Sequence, residues 1–306
     1  MFTQNKNIHI QEKVMVWLLA GATLITTLTT VGILFSILFE AIEFFKVESF
    51  WYFITGTEWT PGVSDAKFGA VPIFTGTIII TLIALIVAVP IGINIAIYLS
   101  EYASGRVRDI AKPIIETLAG IPTVVYGFFA AITLAPFIVN VCASFGVEAS
   151  FNNALASGVV MGIMIVPIIA SLSDDVISSV PDHMRKGSLA LGMTKSETIK
   201  FIVLPAALPG IISAVLLGIS RAIGETMIVV MAAGLRPNLS FNPLDDMTTV
   251  TVKIVEALTG DSSFDSPETL SAFALGLVLF VLTLLLNIVS VMMIRKFKEK
   301  YKSSNL

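Results

Sequence analysis

Arg221 and Glu225 stand four residues apart in Phe201–Leu235, a stretch with no other charged residue. If that stretch is one helix, the spacing puts both side chains on one face. A guanidinium presents a planar fork of donors that matches two oxygens of an oxyanion. A carboxylate one turn away can hold the fork in register and offset its charge when no anion is bound. It also keeps affinity low enough for release, which a transport path requires. Ser220 and Thr226 bring hydroxyls to the same place, and Gly218 and Gly224 permit close helix approach. The plainer alternatives are an ion pair that neutralises itself and small residues that only pack. Met227 and Met231 form a helical stripe and read as packing.

Pro90-Ile-Gly92 and Gly120-Ile-Pro122 lie in two other apolar stretches. Proline removes a backbone hydrogen bond and bends a helix. Pro90, Gly120 and Pro122 therefore read as interruptions of their spans. Such bends suit a gate, although membrane helices also carry them without gating.

A second cluster surrounds Gly192. Val180-Pro181-Asp182 can open a helix, with the acid at the positive end of its dipole. Gly192 can close that helix as a left-handed residue. Thr194-Lys-Ser-Glu197 is a capping box that opens another, which carries Ile199, Phe201, Ile202 and Leu204 to Pro205. Residues 174–205 thus read as helix, glycine turn and capped helix, lying across one membrane face.

Several chemistries are excluded. No Gly-x-x-x-x-Gly-Lys-Ser/Thr phosphate loop occurs, so this chain does not hydrolyse ATP by that route. Cys142 is the single cysteine, which rules out an intrachain disulfide and a Cys-rich metal site. The two histidines, His9 and His183, are placed for neither metal ligation nor proton relay along a path. A net charge of -3 gives no nucleic-acid footprint.

The elements that must position these residues are membrane helices. Of the 306 residues only 13% are charged and 55% are hydrophobic, and the mean hydropathy is +0.89. A soluble domain carries about 25% charged residues. Val14–Phe39, Phe68–Ser100, Thr117–Val147, Ala149–Ser173 and Thr269–Ile294 contain no charge at all. Each exceeds the roughly 20 residues that span a hydrocarbon core. Phe201–Leu235 is the sixth. Runs of this length without alternation indicate helices rather than barrel strands. The first is too long for a signal-peptide core and reads as a retained anchor. Fourteen of the nineteen Lys and Arg fall on one side if the N-terminus is cytoplasmic, four fall on the other, and Arg221 lies within a span. That bias predicts both termini inside. The expected class is an all-α polytopic membrane protein with six transmembrane helices.

Gly192, nine intervening residues, then Ile202-x-Leu204-Pro205 resembles the signature loop of ABC importer permeases. Phe68–Pro72, Ala119–Gly127 and Gly218–Met227 are similar to segments of the phosphate importer permeases. Thr226-Met227 and Asp246–Thr251 favour the PstC kind of subunit over its PstA partner. The resemblance covers about residues 68–294 and implies a type I ABC importer permease-like fold. One position departs: the family loop opens Glu-Ala-Ala, where this chain has Lys186-Gly187-Ser188. That puts in doubt any contact made through the acid.

The resemblance implies three regions. Residues 1–67 hold the N-terminal tail, first span and outer loop. Residues 68–294 form the permease domain with its cytoplasmic coupling loop 174–205, and 295–306 a basic tail facing anionic lipid. It further implies that Gly192, Thr194, Glu197, Ile202, Leu204 and Pro205 couple to an ATPase. The implied partners are a similar permease subunit (PstA-like), two copies of an ATPase (PstB-like), a soluble phosphate-binding protein (PstS-like) and the lipid bilayer, with no nucleic acid. ATP and Mg would sit on the ATPase and no cofactor on this chain. Ser220, Arg221, Glu225 and Thr226 would line the substrate path. The residue chemistry alone leaves other readings open: a permease for sulfate or molybdate, or an ion-coupled transporter with Glu225 as proton carrier. An intramembrane enzyme lacks paired aspartates or a His–carboxylate cluster.

The charge bias yields a direct test. A cysteine placed at Ser196 should resist an impermeant thiol reagent in intact cells, whereas cysteines in 236–269 should react. Labelling at position 196 from outside would reverse the topology.

Overall fold

The computed structural model describes residues 6–62, 65–260 and 263–303. Residues 1–5 and 304–306 of the two tails, and 63–64 and 261–262 of the outer loops, lie outside the described residues. So do the side chains of Lys6, His9, Lys296, Lys298, Lys300 and Lys302.

Among the described residues six helical segments are long and apolar enough to cross a membrane. The first belongs to α1 (Lys6–Val47). A short α2 (Phe50–Thr55) and a hairpin of β1 (Trp59–Thr60) with β2 (Lys67–Phe68) follow. Trp59 pairs with Phe68 across the hairpin. Phe44, Phe53, Trp59 and Phe68 bury edge-to-face beneath it, with Phe44 5.4 Å from both Phe53 and Phe68. Aromatic pairs prefer this geometry, and it ties the end of α1 to the outer loop.

The second span is α3 (Val71–Ile97), which a π-helical turn, Tyr98–Tyr102, extends. It runs unbroken through Pro90, contrary to the expected interruption. Asn94 Nδ2 donates to the Pro90 carbonyl at 2.8 Å, adding a side-chain bond beside the turn that lacks a proline N–H.

Next comes α4 (Gly105–Ala119), an amphipathic helix with no buried residue. It turns its half-buried Arg108 and Lys112 toward the protein and leaves Val107, Ile110, Ile114 and Leu118 exposed in one stripe. Gly120-Ile-Pro122 separates α4 from α5 (Thr123–Phe129). The expectation that Gly120 and Pro122 interrupt span three is therefore corrected. They mark where it begins, because Pro122 fixes an extended N-cap from which α5 starts. Span three continues through a π-helical turn, Ala130–Leu134, into α6 (Ala135–Ser144), which holds Cys142.

Span four is α7 (Ala154–Ser178), whose N-cap Asn153 accepts the Ala156 N–H at 2.8 Å. It forms the centre of the bundle and packs along α3. Beyond it lie α8 (Asp182–Ala190) and α9 (Lys195–Thr198). A π-helical turn, Ile199–Val203, then leads directly into α10 (Leu204–Ile223). Pro205 consequently does not end the capped helix. It falls at the start of the α-helical run, where a missing N–H is tolerated. The second helix of the coupling loop is thus the beginning of span five, and Asp174–Ser178 belong to span four. The chain ends with α11 (Met227–Ala232), α12 (Val250–Thr259) and α13 (Pro267–Ser303).

Part of the outer loop expected at 236–269 also differs. Met247, Thr248, Thr249 and Val250 are buried, because this segment folds back against α3. Thr77 Oγ1 on α3 accepts the Val250 N–H at 3.1 Å and donates to the Ile73 carbonyl at 2.9 Å. A Cβ added at Gly76 would lie 2.2 Å from the Thr248 carbonyl oxygen. Only glycine admits the segment there.

Gly76→Ala should therefore cost roughly 1–3 kcal/mol, the range for overpacking a filled site. Thermal unfolding in detergent should show the loss, with Gly105→Ala, where nothing lies within 4 Å, as the neutral control.

Candidate functional site

The helix of span five stops at Ile223, and Gly224 is its C-cap. Glu225 and Thr226 form the break, and α11 restarts at Met227. Arg221 and Glu225 therefore do not share a helix face, and no ion pair joins them among the described residues. The expected one-face pair is corrected for a clear reason: the helix ends between the two residues, and the Glu225 carboxylate is taken up by the start of α11. Arg221 lies in the last turn of α10, where the dipole is negative. Glu225 is buried, with only 6% of its surface exposed. Its Oε1 accepts the N–H groups of Met227 at 3.0 Å and Ile228 at 3.4 Å, at the positive start of α11.

The break is held from both sides. Thr251 Oγ1 donates to the Glu225 carbonyl at 2.8 Å and lies 3.1 Å from Thr249 Oγ1. Helix α11 packs on α5, with Met231 against Gly127. Arg221 and Ser220 stay exposed, Thr226 is half-buried, and no hydrogen bond or ion pair engages Arg221 among the described residues. With Ser213, Leu217 and Gly224 they line the face of α10 that this chain leaves uncovered. The structure thus brings Ser220 and Arg221 together on an open face and turns Glu225 away from it.

The second cluster has the geometry its sequence implies. Gly192 sits at φ +87°. Its N–H reaches the Leu189 carbonyl at 3.0 Å and the Met193 N–H reaches Ser188 at 3.2 Å, the paired bonds of a Schellman ending. Thr194 and Glu197 form the full capping box: the Thr194 N–H donates to Glu197 Oε2 at 2.8 Å and the Glu197 N–H to Thr194 Oγ1 at 3.3 Å. Gly192, Thr194 and Glu197 are exposed, whereas Ile202, Leu204 and Pro205 are half-buried. Ile199 and Val203 face inward, and Phe201 stays exposed.

Sequence reasoning missed the ion pairs under this loop. Asp174 on α7 is fully buried. Arg108 Nη2 donates to both its oxygens at 3.0 and 2.9 Å and to Ser178 Oγ at 2.8 Å. Lys112 Nζ lies 3.3 Å from Asp174 and also bonds Asp175, whose carboxylate raises the lysine above its usual range. Arg185 on α8 reaches Glu101 of the π-helical turn after α3. These pairs join residues more than 60 positions apart, so no local pattern announces them. A short charged loop facing an Asp-Asp at a span end was the available signal.

Among the described residues no group of His, Cys, Asp and Glu could hold a metal ion.

Residues 88–299 match a family described as binding-protein-dependent transport system inner membrane component. The chain is 38% identical to a probable ABC transporter permease protein, YqgH, of Bacillus subtilis, over 76% of this chain and 74% of that one. It is 36% identical to the phosphate transport system permease protein PstC 1 of Mycobacterium tuberculosis, over 80% and 82%. A PstC of Xylella fastidiosa is 30% identical over 92% and 90%. Among solved structures, an alginate ABC transporter aligns with a TM-score of 0.64 at 15% identity, over 94% of this chain and 99% of that one. The MetNI methionine ABC transporter, inward facing, aligns with a TM-score of 0.52 at 15% identity, over 74% and 94%. These two likenesses concern the fold, which is that of the type I ABC importer permeases.

A test follows from the Schellman turn. Gly192→Val places a β-branched residue in the left-handed region, at about 1–2 kcal/mol. No span is touched, so membrane insertion should be normal. Limited proteolysis should cut between α8 and α9 faster than in the wild type. Unchanged protection would mean that the turn does not hold the two helices.

Proposed function

The chain belongs to the binding-protein-dependent transport system inner membrane components, and on that premise we propose that it is the permease subunit of an ATP-driven inorganic phosphate importer. It is a multi-pass inner-membrane protein. The phosphate reading draws on the PstC relatives. Arg221 carries it: an exposed guanidinium in span five, beside a helix break, with no partner among the described residues. An arginine at a helix centre in lipid costs about 2.5–3.5 kcal/mol on insertion scales. Such a group belongs on a polar path.

The path forms where the uncovered face of α10 meets a second, PstA-like permease subunit. Ser220 and Arg221 offer hydroxyl and guanidinium donors to the anion, and Thr226 stands at the edge of the break. Glu225 is committed to the start of α11 and acts by holding the break open, not by gripping the fork of Arg221. A single unneutralised guanidinium binds phosphate without trapping it, since only part of the anion's charge is matched.

The drive comes from a separate pair of PstB-like ATPases, which carry ATP and Mg; this chain holds no cofactor. Gly192, Thr194 and Glu197 shape the exposed turn that meets them, and Ile202, Leu204 and Pro205 continue it into span five. Any push on the turn therefore enters α10, the helix that carries Arg221. A PstS-like binding protein delivers phosphate at the opposite face, with both termini of this chain cytoplasmic. Gly120 and Pro122 stand at the turn between α4 and α5, as gate elements would, and Pro90 lies inside the continuous α3 as a point of bending.

Arg221→Ala should assemble normally, because it removes no internal partner, and ATP-dependent phosphate uptake in vesicles should fall at least tenfold, or about 1.4 kcal/mol. Arg221→Lys should fail nearly as badly, since an ammonium is a point charge without the fork. Near-normal uptake by a well-assembled Arg221→Ala transporter would remove Arg221 from the path. Competition by sulfate at equal concentration would broaden the substrate to oxyanions generally.

A further inference from the structure

The guanidinium of Arg185 uses every face it has. Nε and Nη2 both donate to Glu101 Oε1, at 3.0 and 2.8 Å. Nη2 also donates to the Ile177 carbonyl at 2.8 Å, and Nη1 to the Val180 carbonyl and, at 3.5 Å, to Asp182 Oδ1. The side chain is 17% exposed and that of Glu101 is 8% exposed. One residue of α8 is thereby bonded to the end of span two and to the end of span four.

The neighbours make the arrangement directional. Glu101 sits in the π-helical turn Tyr98–Tyr102, which is continuous with α3. Single π-helical turns inside helices occur frequently at functional sites. Ile177 lies in the last turn of α7, and Val180 follows in the short link to α8. The exposed surface of α8 carries Asp182, His183, Lys186 and Leu189, with Leu191 at its C-cap. Its outward side is free to meet another protein while Arg185 grips inward.

We propose that Arg185 is the positioning residue through which α8 passes its movement to spans two and four. This rests on the permease reading and extends it. Span five receives the push through its own backbone, because α9 runs into α10. Span four joins α8 only through the short link Ser179–Pro181 and span two has no backbone connection to it, so Arg185 clamps the first through the Ile177 and Val180 carbonyls and reaches the second through Glu101. A planar fork with five donors resists rotation about any one bond, which a lysine ammonium does not. The joint transmits displacement and takes no part in binding the anion.

The test uses the whole transporter, with both permease subunits and the ATPase in liposomes, and follows ATP hydrolysed per phosphate taken up. Arg185→Lys should leave ATP hydrolysis within about twofold of wild type while uptake falls about tenfold or more, so the ratio rises at least fivefold. Glu101→Gln keeps the bonds to Ile177 and Val180 and should give a smaller rise. If Arg185→Lys does not assemble, Glu101→Gln decides. An unchanged ratio in the assembled variant, or hydrolysis and uptake falling in proportion, overturns the joint. Wild-type uptake that does not depend on the ATPase would instead overturn the permease reading itself.

Discussion

The carboxylate of Glu225 on the backbone N–H groups of Met227 and Ile228 is the interaction on which the rest of this structure turns. A bilayer offers no water to an unmade backbone bond, so a span can break only where something else satisfies the freed groups. Glu225 does this for the start of α11, and Thr251 for the Glu225 carbonyl. Once the break is secured, α11 can lean on α5 and the 247–250 segment can settle over Gly76. Arg221 is then left at the end of α10 with no partner among the described residues. The free cation and the buried anion are two results of one broken helix.

The cytoplasmic end follows another logic. There the charges are joined across sequence: Arg108 and Lys112 to Asp174, and Arg185 to Glu101. A buried carboxylate such as Asp174 is costly unless paired and hydrogen-bonded. Two cations and a serine meet that requirement. The pairs fix the angles at which α4 and α8 leave the spans, something that apolar contact on a smooth helix surface does poorly.

The spans were legible because a bilayer imposes length and apolarity on every run that crosses it. The Gly192 turn and the Thr194 capping box were legible because their bonds are local, reaching three to five residues. The break in span five was hidden by an assumption. Spacing of four means one face only if the helix continues, and the absence of charge around Arg221 suggested that it does. Gly224 followed by an acid is itself a stop-and-start signal, a C-cap beside an N-terminal anion. Gly120-Ile-Pro122 likewise reads as a bend inside a span, since the uncharged run begins at Thr117 and masks the end of α4. The long-range pairs leave only a faint trace in the sequence, a short charged loop opposite the Asp174-Asp175 end of span four.

Helix α4 has its polarity reversed with respect to most surface helices. Arg108 and Lys112 point at the protein, and Val107, Ile110, Ile114 and Leu118 point away. It is fastened by charge and greasy on the outside. Dissolved salt screens such a fastening only weakly, because the Asp174 carboxylate at its centre is fully buried, while excluded salts such as sulfate strengthen the apolar preference of the outer stripe. The inner face of this one helix therefore holds at ionic strengths that would loosen a surface salt bridge, while its outer stripe stays matched to whatever hydrocarbon lies beside it.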